Sequence, residues 1–265
     1  MGKAESMRTS DFATSFNAIA AEYAAARPDY PPTLYDALEE AFGRPLAGTL
    51  GLDVGAGTGK ATRGLSERGV SVIAVEPGEG MAAQLRTASP GVPLVRAGGD
   101  ALPFADGSVD LVSYAQAWHW TTPELALPEA LRVLRPEGGL ALWWNTNDRS
   151  VGWVDEQADR LRERLPRHAA HDNTRVVGQH LAALEPTLEP VYREVSWSRV
   201  VPLATHLANL ATHSRFAVLD PEETRPLLAE EEAIVGELFP DGLVEEPYLV
   251  RLTYLRRPGR LSTDG

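Results

Sequence analysis

Residues 52–62 read LDVGAGTGKAT, and the fold can be read outward from them. An apolar run ends around Asp53, three glycines follow at two-residue intervals, and helix-forming residues begin at Lys60. That order predicts a strand, a tight turn and a helix. Glycine adopts positive φ and lets a ligand approach the backbone closely. The helix behind it presents free N–H groups and a partial positive charge. The loop Gly55-Ala56-Gly57-Thr58-Gly59 is therefore expected to hold a ligand that carries a carboxylate or a phosphate.

Spacing separates the two. The dinucleotide fingerprint is G-x-G-x-x-G. Gly55 and Gly57 fit it, but Lys60 stands where the last glycine is required. This disfavours an NAD-dependent oxidoreductase. Asp53 beside the loop would repel a pyrophosphate and suits a cationic amine next to a carboxylate. Glu76 ends the next strand, where a carboxylate can take both hydroxyls of a ribose. Asp100, in GGDALPF, follows the third strand and can accept from an exocyclic adenine amine. An amino acid end, a ribose and an adenine together describe S-adenosylmethionine (SAM).

The surroundings agree with such a site. Short apolar runs, TLGLDVG (49–55), SVIAV (71–75), PLVRAG (93–98), VDLVSYA (109–115) and LALWWN (140–145), alternate with helical patterns. Buried runs of this length separated by helices predict β-α units and a parallel α/β sheet. Pro136-Glu137-Gly138-Gly139 reads as a tight turn before the fifth strand. Residues 11–26 form an amphipathic pattern with Phe12, Phe16, Ile19 and Tyr23 on one side, and Pro31–Pro32 open a second helix. Beyond residue 150 the pattern predicts helices at WVDEQADRLRERL and within 173–186. A strand at 192–201, a helix at 224–238 and a strand at 245–257 follow. One domain is expected over 11–265, after a leader at 1–10. Within it, 11–45 is an N-terminal helical cap, 46–145 the cofactor-binding core, 151–190 a helical insertion or lid, and 191–265 the C-terminal strands and helices.

LDVGAGTGKAT, VIAVEPGEGMAAQLR, GDALPFADGSVDLV and LRVLRPEGGLALWWN resemble the consecutive motifs of class I SAM-dependent methyltransferases. The N-terminal pattern of Phe16, Ala20, Tyr23, Arg27, Pro28, Tyr30 and Pro31 is similar to that of the small-molecule enzymes, of methyltransferase type 11 kind. The resemblance implies a Rossmann-like, seven-stranded, mostly parallel sheet with helices on both faces and the last strand antiparallel. It also implies that SAM lies at the carboxyl ends of the early strands and leaves as S-adenosylhomocysteine (SAH). Carried over, Gly55, Ala56, Gly57 and Gly59 line the cofactor loop, and Asp53 lies under the methionine end. Glu76 takes the ribose, Pro77 and Met81 flank the adenine, and Asp100 and Ala101 touch its edge. Gln116 faces the cofactor, Tyr23 and Arg27 close over the methionine end, and Tyr30 belongs to the acceptor pocket.

The stretch AQAWHW (115–120) follows the fourth strand, where doubly wound sheets open their ligand crevice. His119 is the candidate general base, since histidine ordinarily titrates near working pH. Trp118 and Trp120 are candidate pocket walls, and Trp144 and Asn145 end the fifth strand toward the same cleft. AQAWHW lacks the Pro-Pro-aromatic signature that the resemblance associates with DNA-base methylation. His168 and His171 have helical spacing but no third ligand, so no metal site is expected.

Composition limits the partners. The 265 residues carry a formal net charge of -12 with no basic stretch, a poor match to nucleic acid. There is no cysteine, no apolar run long enough to span a bilayer and no apolar secretory leader, so a cytoplasmic protein is expected. The opening MGKAES fits a myristoylation pattern, but no polybasic or second lipid signal follows. The reading is a methyltransferase acting on a small molecule at O, N or C. The alternative within this fold is a protein that binds SAM without transferring its methyl group.

Overall fold

The computed structural model describes residues 26–165, 174–213, 216 and 219–259. Among them a sheet forms from β1 (Leu50–Val54), β2 (Ser71–Val75), β3 (Leu94–Val95), β4 (Val109–Ala115), β5 (Leu134–Asn147), β6 (Val191–Pro202) and β7 (Leu243–Arg256). The helices are α1 (Pro32–Phe42), α2 (Lys60–Glu67), α3 (Glu79–Ala88), α4 (Pro123–Val133), α5 (Gly152–Arg164), α6 (Thr174–Leu184), α7 (Leu203–Ala211) and α8 (Pro221–Leu238). Strand order is β3-β2-β1-β4-β5-β7-β6. β1 to β5 pair in parallel, and β7 runs antiparallel to both β5 and β6. This is the expected Rossmann-like sheet, its last strand reversed.

Alternation sorts the core onto two faces. Leu52, Val54, Val112, Tyr114, Leu142 and Trp144 pack on the face covered by Ala126, Leu127, Ala130 and Val133 of α4. Leu111, Ala141, Trp143, Val250 and Leu252 pack on the opposite face, beneath Leu34, Tyr35, Leu38 and Phe42 of α1. The adjacent Trp143 and Trp144 therefore enter opposite cores. Helix ends follow their local chemistry. Pro32 opens α1, and Gly43 closes it at φ 78° with its N–H on Glu39 O. A capping box of Asp220 and Glu223 starts α8.

Three expectations change in detail. β3 has two residues instead of the six of PLVRAG, and the Arg96 side chain just after it donates to the Glu76 and Pro77 carbonyls. β5 begins at Leu134, and the expected Pro136–Gly139 turn lies inside it. Pairing jumps from Val109↔Leu134 to Leu111↔Gly139, with Glu137 at φ 65°. Finally, residues 151–190 divide between two places. Leu161 of α5 packs with Leu210 of α7, Phe216 and Leu227 and Leu228 of α8, as a cap. Leu181 of α6 and Leu188 instead join the sheet core beside α4. The patterns at 11–25 and the His168–His171 pair lie outside the described residues.

The contact of α1 with α2 is close enough to test. A Cβ on Gly64 would sit 1.9 Å from the Tyr35 hydroxyl. Helix propensity favours alanine over glycine by about 1 kcal/mol, whereas overpacking a core typically costs about 1–3 kcal/mol. With a buried ring as the obstacle, the clash decides the sign. Gly64→Ala is expected to lower the urea midpoint, which equilibrium denaturation followed by circular dichroism checks.

Candidate active site

The site is built where β1, β2 and β4 end. Gly55, Gly57 and Gly59 have φ of 70°, 57° and 86°, so each glycine of the loop occupies left-handed backbone. The N–H groups of Gly55 and Ala56 both donate to Val75 O, at 2.8 and 3.1 Å, which ties the loop to the end of β2. A Cβ on Gly55 would lie 2.4 Å from Ala117 Cβ, so this glycine is needed for the β4 loop to pass. Among the described residues, a Cβ on Gly57 would meet nothing nearer than the Gly55 carbonyl, at 4.0 Å.

Glu76 binds the loop together. It is 7% exposed. One carboxylate oxygen accepts the Gly57 N–H at 2.8 Å and the other accepts the Gly78 N–H at 2.7 Å. Burial raises its pKa against the lowering effect of those two N–H groups and of Arg96. A carboxylate oxygen has room for about two hydrogen bonds. Each oxygen of Glu76 therefore keeps one acceptor position, which is what a vicinal diol requires.

Asp53 is a correction. Its carboxyl group is fully buried, with Thr62 Oγ1 donating at 2.6 Å and Ser113 Oγ at 3.2 Å. It presents no surface to an amine. It clamps the first turn of α2 to β4 from beneath the loop. Burial pushes its pKa up to about 6, against the lowering effect of the Thr62 and Ser113 hydrogen bonds. Asp100 is half-buried, and one of its oxygens accepts the Thr122 N–H at 2.9 Å at the entry to α4. Met81 is buried in the first turn of α3, while Pro77 and Ala101 are exposed on either side of the crevice end.

The end of β4 is held in unusual backbone. Gln116 has φ 54°, which is uncommon for a residue other than glycine and concentrates at functional sites. Its N–H donates to Trp143 O at 2.8 Å, and its amide contacts the Tyr30 hydroxyl at 3.4 Å. Tyr30 in turn packs edge-on to Trp143, with ring centroids 5.8 Å apart. The segment before α1 is thus drawn over the crevice. Arg27 donates to Thr212 O at 3.1 Å, and Asp29 pairs with Lys60 and Arg63 of α2. Tyr23 lies outside the described residues.

AQAWHW separates into buried and exposed parts. Trp118 is 3% exposed and meets the Tyr114 ring edge-on at 4.8 Å, so it is core and not pocket wall. Trp144, at 5% exposed, belongs to the same core and is likewise corrected. His119 and Trp120 stay exposed on the 3-10 turn Trp118–Trp120, their rings 4.6 Å apart. Asn145 is placed on the opposite face from Trp144 and accepts from Trp197 Nε1 at 3.0 Å.

A polar network lies beside Asn145. His206 Nδ1 lies 2.7 Å from Glu246 Oε1, and Arg199 donates to Glu246 Oε2 at 2.6 Å and to Ala26 O at 2.8 Å. Tyr248 donates to Glu246 at 2.7 Å, and Gln157 bridges His206 Nε2 and Glu231 at 3.1 and 2.9 Å. These residues come from α5, β6, α7, α8 and β7. The only hint in the sequence is a set of polar residues inside otherwise apolar patterns. No group of three His, Cys, Asp or Glu among the described residues has the arrangement of a metal site.

Comparison with known proteins agrees with this geometry. A family model described as a methyltransferase domain matches residues 52–142. A protein of Mycobacterium tuberculosis (strain ATCC 25618 / H37Rv), described as an uncharacterized methyltransferase, is 38% identical over 217 residues, 81% of this chain and 82% of that one. One of Schizosaccharomyces pombe, described in the same words, is 40% identical over 150 residues, 56% and 59% of the two chains. A solved structure from Anaeromyxobacter dehalogenans, assigned as a type II methyltransferase, superposes with a TM-score of 0.68 at 25% identity, covering 88% of this chain and 99% of that one. The chain belongs to the class I SAM-dependent methyltransferase family.

Asp53 generates a pH-dependent prediction. Its folded pKa of about 6 lies above its ordinary value of 3.8. The stabilisation tied to its neutral form is therefore complete below about pH 4 and is lost as pH rises through about 6. An asparagine can accept from Thr62 and donate to Ser113 Oγ, once that hydroxyl turns its single proton from residue 53 to Leu52 O, also 3.2 Å away. Asp53→Asn is expected to raise the melting temperature at pH 7.5, with the gap over wild type closing as pH falls toward 4. Paired thermal melts across that range check it.

Proposed function

We propose that this chain transfers the methyl group of S-adenosylmethionine to a small organic acceptor. The observation that carries this is the buried Glu76 carboxylate. It is oriented by two loop N–H groups and retains an acceptor position on each oxygen. That arrangement fits a ribose diol. Met81, Pro77 and Ala101 would flank the adenine, and the second oxygen of Asp100 would meet its amine. The loop from Gly55 to Gly59 would hold the methionine end, with the Gln116 backbone and Arg27 closing it.

The bound sulfonium supplies an electrophilic methyl group, so the chain's own task is chiefly to bring the acceptor into line. Where the acceptor atom is a hydroxyl, a base must take its proton. His119 is our candidate, exposed at the mouth of the crevice directly after β4. Trp120 beside it is the remaining pocket-wall candidate of the pair, since Trp118 is buried. A small acceptor is supported by the net charge of -12 and the absence of a basic stretch. No helix among the described residues is long and apolar enough to cross a membrane.

Thermal shift is the first test. SAM and SAH are expected to raise the melting temperature, and NAD to leave it unchanged; stabilisation by NAD alone would overturn the proposal. Calorimetry with SAH is expected to show at least a tenfold loss of affinity in Glu76→Ala, consistent with about 1.5–3 kcal/mol for hydrogen bonds to a charged group. Unchanged affinity would remove Glu76 from the site. His119→Ala is expected to lower kcat by about 100-fold or more while SAH affinity stays within about twofold. Equal loss of both would make His119 a cofactor contact and not a base.

A further inference from the structure

The strand order places β1 and β4 side by side, with β2 and β3 beyond the first and β5 beyond the second. The gap between the carboxyl ends of β1 and β4 is therefore the switch point of the sheet, where folds of this kind open their ligand crevice. Two consecutive residues reach its opposite rims. Asp29 pairs with Lys60 Nζ at 3.1 Å and with Arg63 at 2.7 Å, at the start of α2 directly behind the glycine loop. Tyr30 turns the other way, and its hydroxyl accepts from the Gln116 amide at 3.4 Å, at the end of β4. The chain ahead of α1 is thus a strap with one foot on each rim.

The fastenings differ in kind. On the β4 side, the Tyr30 ring stands edge-on to Trp143, which is fully buried. Behind the strap, Arg199 donates to Ala26 O at 2.8 Å and Arg27 to Thr212 O at 3.1 Å. Arg199 is itself held at 2.6 Å by the buried Glu246, which also takes the Tyr248 hydroxyl and is met by His206 and Asn209 of α7. Pro28 and Pro31 fix φ on either side of the two latching residues. Only the α2 side is open to solvent, since the Asp29 side chain is 64% exposed. An exposed ion pair is weak and is screened by salt. Its partner is not exposed to the same degree, because the Lys60 side chain is at 15%. Burial lowers the Lys60 pKa, Arg63 and Arg199 lower it further, and Asp29 opposes all three. The strap therefore parts most readily at Asp29, leaving two crowded cations on the α2 rim while the β4 rim holds.

We propose that Asp29 is a positioning residue that latches this strap across the crevice, and that the breaking of its pairs with Lys60 and Arg63 sets the rate at which cofactor and product exchange. Asp29 acts through the strap and through α2, not on the reacting atoms. The part that concerns the cofactor rests on the methyltransferase reading above. Because the latch is ionic and exposed, ionic strength controls how often it opens, and the packed contacts of Tyr30 and the buried anchor of Ala26 do not share that dependence.

Two measurements on the full-length protein test this, each at about 20 mM and about 500 mM sodium chloride, between which the screening length falls from roughly 20 Å to roughly 4 Å. The first needs no ligand: amide hydrogen exchange of the segment 26–31 reports opening of the strap. It is expected to quicken about threefold with salt in the wild type, the size expected of exposed pairs. Asp29→Asn is expected to exchange at the fast rate at both salts, and Asp29→Glu to restore the salt dependence. Arg63→Gln is expected to reproduce part of the loss and to add nothing to Asp29→Asn, since both remove the same pair. The second measurement follows dissociation of radiolabelled SAH chased by excess unlabelled SAH, and the same pattern of about threefold is expected. Strap exchange that is equal in wild type and Asp29→Asn at both salts would overturn the latch. So would exchange unmoved by Arg63→Gln, which would leave Asp29 with a role only at the start of α1. Strap exchange that responds while SAH dissociation does not would overturn the control of cofactor exchange. Failure of SAH to bind the wild-type protein would overturn the methyltransferase reading instead, and the ligand-free arm still decides the latch.

Discussion

The contact on which the site depends is the hydrogen bond from the Gly57 N–H to the Glu76 carboxylate, 2.8 Å across the gap between two strand ends. It joins a loop that has no side chains of its own to hold it with a carboxylate that has almost no water to solvate it. Each half needs the other. Without the loop N–H, a nearly buried carboxylate would be driven toward its neutral form. Without Glu76, the Gly57 N–H would lose the acceptor it has. The positive φ at Gly55, Gly57 and Gly59 serves this one alignment, and so does the close passage of Ala117 over Gly55.

Around that contact the molecule is fastened from several directions. Asp53 holds α2 to β4 from below. Asp29, ahead of α1, reaches Lys60 and Arg63 on the same helix from above. Burial lowers the Lys60 pKa while Asp29 raises it, so this ammonium depends on its partner for much of what it lost in leaving water. The cap is fastened differently. Beside the apolar contact of Leu161, Leu210, Leu227 and Leu228, Gln157, His206, Glu231 and Glu246 link α5, α7, α8 and β7 through hydrogen bonds. Such a network is satisfied in one arrangement of its helices and in few others.

Much of this was legible in the residues. The parallel sheet, the glycine loop and Glu76 follow from apolar runs, glycine spacing and an acid at a strand end, all of which are local. Errors came where a side chain's role is settled by what lies across from it. Asp53 looks like a ligand residue until Thr62 and Ser113 enclose it. Trp118 looks like a pocket wall until the Tyr114 ring is found against it. Residues 151–190 read as one insertion because α5 and α6 are neighbours in the chain, yet they pack on different partners. Asn209, Trp197 and Tyr248 were passed over for the same reason. They come from three separate elements and meet only through the antiparallel pairing of β6 with β7.

That reversed strand has a further consequence. The groups proposed for the cofactor lie from Arg27 to Gln116 and the proposed base at His119, all ahead of β5 in the chain, whereas the cap helices α5, α7 and α8 follow it. On this reading β5 is a seam between two inheritances. The earlier part of the chain can stay fixed for a ligand common to a whole family. The later part, with α7 and α8 between the antiparallel strands β6 and β7, can change without moving Gly57 or Glu76.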